Sequence, residues 1–201
     1  MVKERAGLIP DTKWKLEKRN QQWYLGETFN AAIGQGYVAV TPMQMAQLMS
    51  AVANGGFIYT PTIIKLETLP AAVRKADIKQ ETLELVKKGL YGVVNEAGGT
   101  GGASRSKIVI VGGKTGTAQV VGIRKSSNLL PERFRDHAWF VAFAPVEKAE
   151  IALCAFVEHG GHGGAAAAPI AKLAIEGYFK NKEAERIQES KEQKRDKNAE
   201  N

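Results

Sequence analysis

The residues with the most chemical potential in this 201-residue chain lie in one short run, Gly112 to Val120, centred on Lys114-Thr115-Gly116. A lysine supplies a fixed positive charge, and a threonine hydroxyl can donate a hydrogen bond to a carboxylate. A glycine has no Cβ, so a substrate can approach the edge of a strand there. The run is compatible with an acyl-transfer site that handles a substrate carboxylate, but three residues alone favour a plain edge strand with an exposed lysine, so the context must decide.

Two other chemistries are disfavoured by the same pattern. Gly113-Lys114-Thr115 matches the end of a phosphate-binding loop, but Ile108 stands where that loop requires its first glycine. The net charge of +7 is compatible with nucleic acid. However, the basic residues are interleaved with acidic ones, and there is no zinc-finger spacing and no arginine cluster with aromatic residues. We therefore expect neither nucleotide nor nucleic-acid binding.

The other reactive residue types have simpler structural interpretations. Glu158, His159 and His162 surround two glycines and could hold a metal, but a glycine-rich turn before a helix explains their spacing, so no metal and no cofactor is expected. His137 begins a predicted strand and is interpreted as structural. Cys154 is the single cysteine and lies in an apolar run, so it is interpreted as a core residue.

Apolar periodicity and turn residues predict an α+β fold. Residues 1–36 show no regular pattern, and residues 57–66 are interpreted as extended, with a short hairpin. Thr41 and Pro42 predict the start of a helix that ends at Asn54 and is buried in the core, because its apolar stripe is wide. A second, amphipathic helix is predicted from about Lys79 to Val94.

Three strand patterns follow and predict an antiparallel sheet covered by helices: Ile108 to Val121, Ala138 to Ala144 and Ile151 to Val157. A glycine loop then leads into an apolar helix from about Ala165 to Phe179. We expect residues 1–179 to form one unit and residues 180–201 to be a charged tail that is helical or disordered.

Several ordered segments resemble penicillin-binding proteins, in particular the penicillin-binding protein 2 group of cell-elongation transpeptidases. The resemblance covers about residues 4–179. The segments occur in the same order as in that family: Ala6 to Pro10 with Trp14-Lys15, Gly26 to Thr28, Ile33 to Gly36, Val40 to Gln47, Ala53 to Gly56, Lys114 to Val120, and Ala138 to Pro145.

The resemblance implies a serine D,D-transpeptidase domain that cross-links peptidoglycan stem peptides during cell wall synthesis and is acylated by β-lactams. By position, Lys114 is the catalytic electrostatic group and Thr115 and Thr117 bind the substrate carboxylate. Gly116 provides clearance, and the backbone N–H of Thr117 is one oxyanion-hole donor. Gly34-Gln35-Gly36 shapes the site from below. No cofactor is implied.

The resemblance also implies that this chain is partial. In the family, the Ser-x-x-Lys nucleophile helix, the Ser-x-Asn element and two of five sheet strands precede the region matched here. Ser104 to Lys107 and Ser126 to Asn128 spell the two patterns, but Ser104 feeds into a strand instead of opening a helix and is interpreted as part of a solvated loop. We therefore predict a partial β-lactamase/transpeptidase-like fold with an unpaired sheet edge, inactive by itself.

Two functions remain open. The chain is either the carboxylate-binding part of a transpeptidase that acts with an upstream fragment of the same enzyme, or a non-catalytic remnant or peptide-binding module. The full-length family resides at the inner membrane and periplasm. No apolar run here is long enough to span a membrane and the N-terminus is charged, so we expect the chain, if made alone, to be cytoplasmic.

Overall fold

The computed structural model describes residues 5–64, 66, 68, 70–120 and 131–199. It contains five α-helices and five β-strands in the described residues. In chain order these are α1 Thr12–Arg19, α2 Leu25–Ala32, α3 Pro42–Ala53, β1 Phe57–Ile58, β2 Arg74–Lys75, α4 Gln80–Asn95, β3 Gly112–Ala118, β4 His137–Ala144, β5 Ile151–Val157 and α5 Gly163–Ala199.

The larger sheet confirms the predicted antiparallel arrangement and the α+β class. Its strand order is β3-β4-β5, with both pairs antiparallel. The register places Lys114 opposite Val141 and Gly116 opposite Trp139. On the far side of β4, Val141 lies opposite Cys154 of β5. This register carries the Lys-Thr-Gly run on the strand that borders the sheet within the described residues.

The core lies on both faces of this sheet. On one face, Phe140 of β4 is fully buried with Val94 of α4 and Ile175 of α5. On the other face, Phe143 and Val141 pack against Met49 of α3. Successive strand residues point to opposite faces, so β4 contributes a large side chain to each half of the core. Burying one such side chain stabilises the fold by about 1.5–3 kcal/mol.

The start of α3 was predicted correctly, but its burial was not. Thr41 accepts a hydrogen bond from the Gln44 amide, and the Gln44 side chain accepts one from the Thr41 amide, which forms a capping box before Pro42. Met49 is buried, whereas Met43 and Leu48 are 53% and 52% exposed. The apolar stripe is therefore wider than the face that packs on the sheet.

The prediction that residues 1–36 are irregular is wrong, because two eight-residue helices form there. Asp11 caps α1 by accepting from the Trp14 amide, and Asn20 ends it in the left-handed region at φ 52°. Glu27 accepts from the Tyr24 amide at the start of α2. Apolar side chains of α2 such as Leu25 and Phe29 are exposed, so no buried stripe marks the helix in the sequence.

The remaining elements agree with the patterns in outline. In the described part of the predicted extended stretch 57–66, only Phe57–Ile58 forms a strand, paired with Arg74–Lys75. Helix α4 matches its predicted range to within one residue at each end. Helix α5 begins at Gly163 and continues through the charged segment to Ala199. In the described part of the chain, no helix combines the length and apolarity that crossing a membrane requires.

Candidate active site

Strand β3 divides the Lys-Thr-Gly run between the two faces of the sheet. Lys114 and Gly116 lie on the α3 face, beside their partners Val141 and Trp139. Thr115 and Thr117 lie on the α5 face, where their hydroxyls meet other groups. Because side chains alternate along a strand, the charge and the hydroxyls can meet one ligand only at the open edge between the faces.

The edge of β3 away from β4 is approached by two side-chain donors. The Gln35 side-chain amide donates to the carbonyl of Thr117 at 2.8 Å. The Lys114 Nζ donates to the carbonyl of Thr115 at 2.7 Å, and Lys114 is exposed. In an antiparallel strand the N–H and C=O of one residue point the same way, so the Thr117 N–H also faces this edge.

A groove of about 510 Å³ runs along this edge and contains the Lys114 side chain on its wall. One wall is formed by β3 and by Trp139 and Val141 of β4. The opposite wall is formed mainly by apolar residues: Ile9, Ile33, Val38, Ala39, Val40, Met45 and Leu48. An apolar cleft with a few polar groups converging from one strand is typical of a site for a small peptide-like ligand.

The segment that carries Gln35 is shaped by glycines and held by an ion pair. Gly34 and Gly36 have φ of 75° and 72°, values that residues with a Cβ rarely adopt. The turn that they form presents Gln35 toward β3. The preceding helix α2 is anchored by Glu27, whose carboxylate lies 2.6 Å from the Nζ of Lys15. Lys15 is 2% exposed, and its Nζ lies 4.6 Å from the centre of the Tyr24 ring.

This ion pair changes the acidity of Glu27. The hydrogen bond from Lys15, together with the one from the Tyr24 amide, lowers the pKa of Glu27 below its ordinary value of 4.5. The carboxylate therefore stays charged at neutral pH, which a buried ammonium requires of its partner.

Helix α5 begins directly against the backbone of β3. A Cβ on Gly163 would lie 2.2 Å from the Trp139 carbonyl oxygen and 2.4 Å from the Gly116 carbonyl oxygen, closer than any side chain tolerates. The Gly163 amide donates to the Thr117 hydroxyl at 3.5 Å. On the other face, a Cβ on Gly116 would press on the Trp139 side chain at 3.2 Å. Both glycines therefore permit close packing around the strand.

Comparison with known proteins gives the family. The model described as "Penicillin binding protein transpeptidase domain" matches residues 2–176. The chain belongs to the penicillin-binding protein transpeptidase family. Its resemblance to the penicillin-binding protein 2 group is confirmed as well. Among curated relatives, the peptidoglycan D,D-transpeptidase MrdA of Haemophilus influenzae is 34% identical over 190 residues, covering 88% of this chain. The MrdA of Acinetobacter baumannii is 37% identical over 177 residues, covering 82% of this chain.

Solved structures agree with this assignment. The penicillin-binding protein 2 of Helicobacter pylori in its complex with MreC has a TM-score of 0.74 at 34% identity, covering 88% of this chain and 32% of that one. The Pseudomonas aeruginosa PBP2 in complex with WCK 5153 also has a TM-score of 0.74, at 35% identity, covering 89% and 39%. The chain spans 29% of the length of the H. influenzae relative and 26% of the A. baumannii one.

The serines that spell the transpeptidase motifs elsewhere in the chain have different surroundings. The prediction that Ser104 is part of a solvated loop is wrong. Ser104 is fully buried in a 3₁₀ turn that packs against α5. Its hydroxyl donates to the Gly101 carbonyl at 2.7 Å. Lys107 is exposed. Ser126 to Asn128 lie outside the described residues.

His137 and His159 contact each other at the ends of β4 and β5. The His159 amide donates to Nδ1 of His137 at 2.9 Å, and Nδ1 of His159 lies 3.0 Å from the Arg135 carbonyl oxygen. His159 has a φ of 53°, so the turn after β5 is tight. Within the described ranges, no three histidine, cysteine or acidic residues are grouped in a way that could hold a metal.

Cys154 lies in β5, on the face of the sheet that packs against α3. Burial raises the pKa of its thiol to about 11, so the thiol is protonated at neutral pH. This state is consistent with a core residue, since the thiolate is the nucleophilic form of cysteine.

Two contacts of this site escaped the sequence patterns. Gln35 was expected only to help shape the site, and its hydrogen bond to Thr117 joins positions 82 apart in the chain, which no local pattern predicts. Thr100 lies among glycines in the stretch that follows α4, and its hydroxyl is 2.9 Å from that of Thr115. The sequence signals this contact only by a threonine placed among glycines, upstream of the Lys-Thr-Gly run.

Proposed function

We propose that this chain supplies the carboxylate-binding part of a peptidoglycan D,D-transpeptidase site. One observation carries the proposal: the Lys-Thr-Gly strand borders the sheet beside a groove, with Lys114 on the groove wall and the Thr117 backbone facing the edge. The ligand class is a stem peptide that ends in a carboxylate, and β-lactams are expected to bind as its mimics.

Each residue of β3 has a distinct role in this proposal. Lys114 supplies positive charge near the reacting acyl group, where a preorganised charge stabilises developing negative charge. Thr115 and Thr117 donate hydroxyl hydrogen bonds to the terminal carboxylate. The Thr117 N–H donates to the oxyanion. Gly116 leaves the strand edge clear, so that the peptide backbone can pair with β3 as an added strand.

The attacking serine belongs to another segment in this proposal. A Ser-x-x-Lys serine attacks the peptide carbonyl after passing its proton to that lysine, and the D-alanine leaving group departs when the acyl-enzyme forms. Large apolar side chains on the groove side support this division: Ile9, Ile33 and Leu48 are 76%, 73% and 52% exposed. A protein segment that covered them would remove this apolar area from water. We propose an upstream fragment of the same enzyme as that partner.

The proposed place of action is the periplasmic side of the inner membrane, where the full-length family works. Cross-linking of stem peptides during cell elongation is the proposed role of the assembled enzyme. The cytoplasmic location expected for the chain made alone is a separate prediction that the comparisons do not support.

Labelling with a fluorescent β-lactam tests the division of the site. We expect no covalent label on the 201-residue chain alone, and a label on the upstream segment when the two are combined. Ser104→Ala in the same assay is the control, and it should change nothing because the Ser104 hydroxyl is buried.

Covalent labelling of the isolated chain would contradict the proposal. If no label appears either on the isolated chain or after the upstream segment is added, while carboxylate peptides still bind, the second function is favoured, a non-catalytic peptide-binding module.

A further inference from the structure

The hydroxyl of Thr115, one of the two proposed carboxylate donors, already has a neighbour. Thr100 places its Oγ1 at 2.9 Å from the Oγ1 of Thr115, and either oxygen can be the donor. A hydroxyl has one proton to donate and two lone pairs that accept. The direction of this hydrogen bond therefore decides whether the Thr115 proton is available to a ligand.

The position of Thr100 is held by backbone contacts on both sides. The next residue, Gly101, donates its amide to the Val93 carbonyl of α4 at 2.9 Å. On the other side, a Cβ on Gly164 of α5 would lie 2.5 Å from the Thr100 carbonyl oxygen and 3.6 Å from Cγ2 of Thr115. Thr100 thus lies between the end of α4 and the start of α5, and its distance to β3 is set by two helices.

A bound carboxylate selects one direction for the hydrogen bond. An ionised carboxylate only accepts, so the Thr115 proton must point to it. The Thr115 oxygen can then accept from Thr100, and hydrogen bonds in such a chain polarise each other and strengthen the outer one. If Thr115 instead donated to Thr100, the Thr100 oxygen would compete with the ligand for the single Thr115 proton.

We propose that Thr100 is a positioning residue that donates to Thr115 and thereby directs the Thr115 proton toward the carboxylate of the ligand. This inference rests on the proposed function of β3. The arrangement proposed for Thr115 resembles that of Thr117, the other proposed carboxylate donor, whose hydroxyl accepts from the Gly163 amide at 3.5 Å. Both threonine oxygens therefore receive a donor from behind.

Binding of two dipeptides to the 201-residue chain tests the inference. The probes are N-acetyl-D-alanyl-D-alanine and its C-terminal carboxamide, and the Kd of each is measured by NMR titration for the unmodified chain, Thr100→Val, Thr100→Ser and the exposed control Thr82→Val. Thermal unfolding of each variant checks that it folds.

We expect Thr100→Val to weaken binding of the carboxylate about two- to tenfold, the value of one hydrogen bond, and to leave the carboxamide unchanged. Thr100→Ser should restore the affinity, and Thr82→Val should match the unmodified chain. In a Thr115→Val background, Thr100→Val should have no further effect, because it acts only through Thr115.

The outcomes separate the two proposals. If the unmodified chain prefers the carboxylate but Thr100→Val binds it equally well or more tightly, the positioning role is wrong while the proposed function stands. Loss of affinity for both probes alike would mean a structural role only and would also overturn the inference. If the unmodified chain does not distinguish the two probes, the proposed function of β3 fails and the inference fails with it.

Discussion

At the scale of single residues, the site depends on side chains that leave β3 on opposite faces. Lys114 lies on the groove wall, whereas Thr115 and Thr117 lie toward α5. A ligand that contacts all three must therefore lie along the strand edge, where the Gln35 amide already reaches the Thr117 carbonyl. The geometry suits an extended peptide whose terminal carboxylate sits beside the threonines.

Glu27 gives the groove wall a dependence on pH. Its pKa is lowered by Lys15 and by the Tyr24 amide, so its stabilising effect is present above the ordinary value of 4.5 and is lost as pH falls through the lowered value. We expect the tryptophan fluorescence to report loosening in that acid range, because two of the three tryptophans, Trp14 and Trp23, lie in the α1–α2 segment. Glu27→Gln should loosen the segment already at pH 7, because it leaves the ammonium of Lys15 buried without its partner.

The matched control for that change is Glu17→Gln. Glu17 lies 3.9 Å from Lys13 with both side chains more than half exposed, and such surface pairs contribute about 0–1 kcal/mol. If Glu27→Gln and Glu17→Gln had the same fluorescence profile between pH 7 and pH 3, the anchoring role of Glu27 would be wrong.

At the scale of elements, the site depends on how closely α5 approaches β3. Gly163 lies where a Cβ would meet two backbone carbonyl oxygens. Because glycine has no Cβ, α5 can begin close enough to β3 for the Gly163 amide to contact the Thr117 hydroxyl. The glycine at the start of α5 thus couples the position of a helix to the position of the Thr117 hydroxyl, a proposed carboxylate donor.

We expect Gly163→Ala to destabilise the chain by about 1–3 kcal/mol, the usual cost of overpacking, and to weaken binding of carboxylate peptides. Gly177→Ala is the control in the same helix, because an added Cβ there has no neighbour within 4 Å. That change should stabilise the chain by about 0.5–1 kcal/mol. Urea unfolding measures both, and a Gly163→Ala chain as stable as the original would show that α5 is not held in this way.

The same elements show what the sequence could predict. The capping residues before α3, the periodicity of α4 and the apolar runs of β4 and β5 are local signals, and each marked its element correctly. Helices α1 and α2 escaped because caps define them while their apolar residues, such as Leu25 and Phe29, remain exposed. Periodicity reports burial, so a helix without a buried stripe gives no such signal.

The candidate site was predictable along β3, and the family resemblance added Gly34-Gln35-Gly36 without its contacts. Lys114 to Thr117 form a contiguous run, so residue types and spacing were enough to mark them. Gln35 and Thr100 come to the same strand from α2 and α4, and the packing of those helices decides the contacts. The burial of Ser104 was also not predictable from local sequence, because it depends on the packing of α5 against the turn that contains Ser104.

At the scale of the whole molecule, the described chain presents an open groove beside β3. The groove beside β3 has one wall with polar groups and one apolar wall with large exposed residues, including Ile9 and Ile33. The chain spans only 29% and 26% of the lengths of the two MrdA relatives. The proposed division, with charge and hydroxyls here and the serine in an upstream segment, accounts for both facts.

The most direct test of this account is to map where a carboxylate peptide binds on the chain. In a ¹H–¹⁵N titration with N-acetyl-D-alanyl-D-alanine, we expect the largest shifts at the amides of Thr115, Gly116, Thr117 and the Gln35 side chain. Lys114→Ala should weaken binding about 10-fold, because it removes a positive charge beside the carboxylate donors, whereas the exposed Lys107→Ala should leave it unchanged. Shifts confined to other surfaces, or equal affinity of the Lys114→Ala and Lys107→Ala chains, would contradict the assignment of β3 as the carboxylate site.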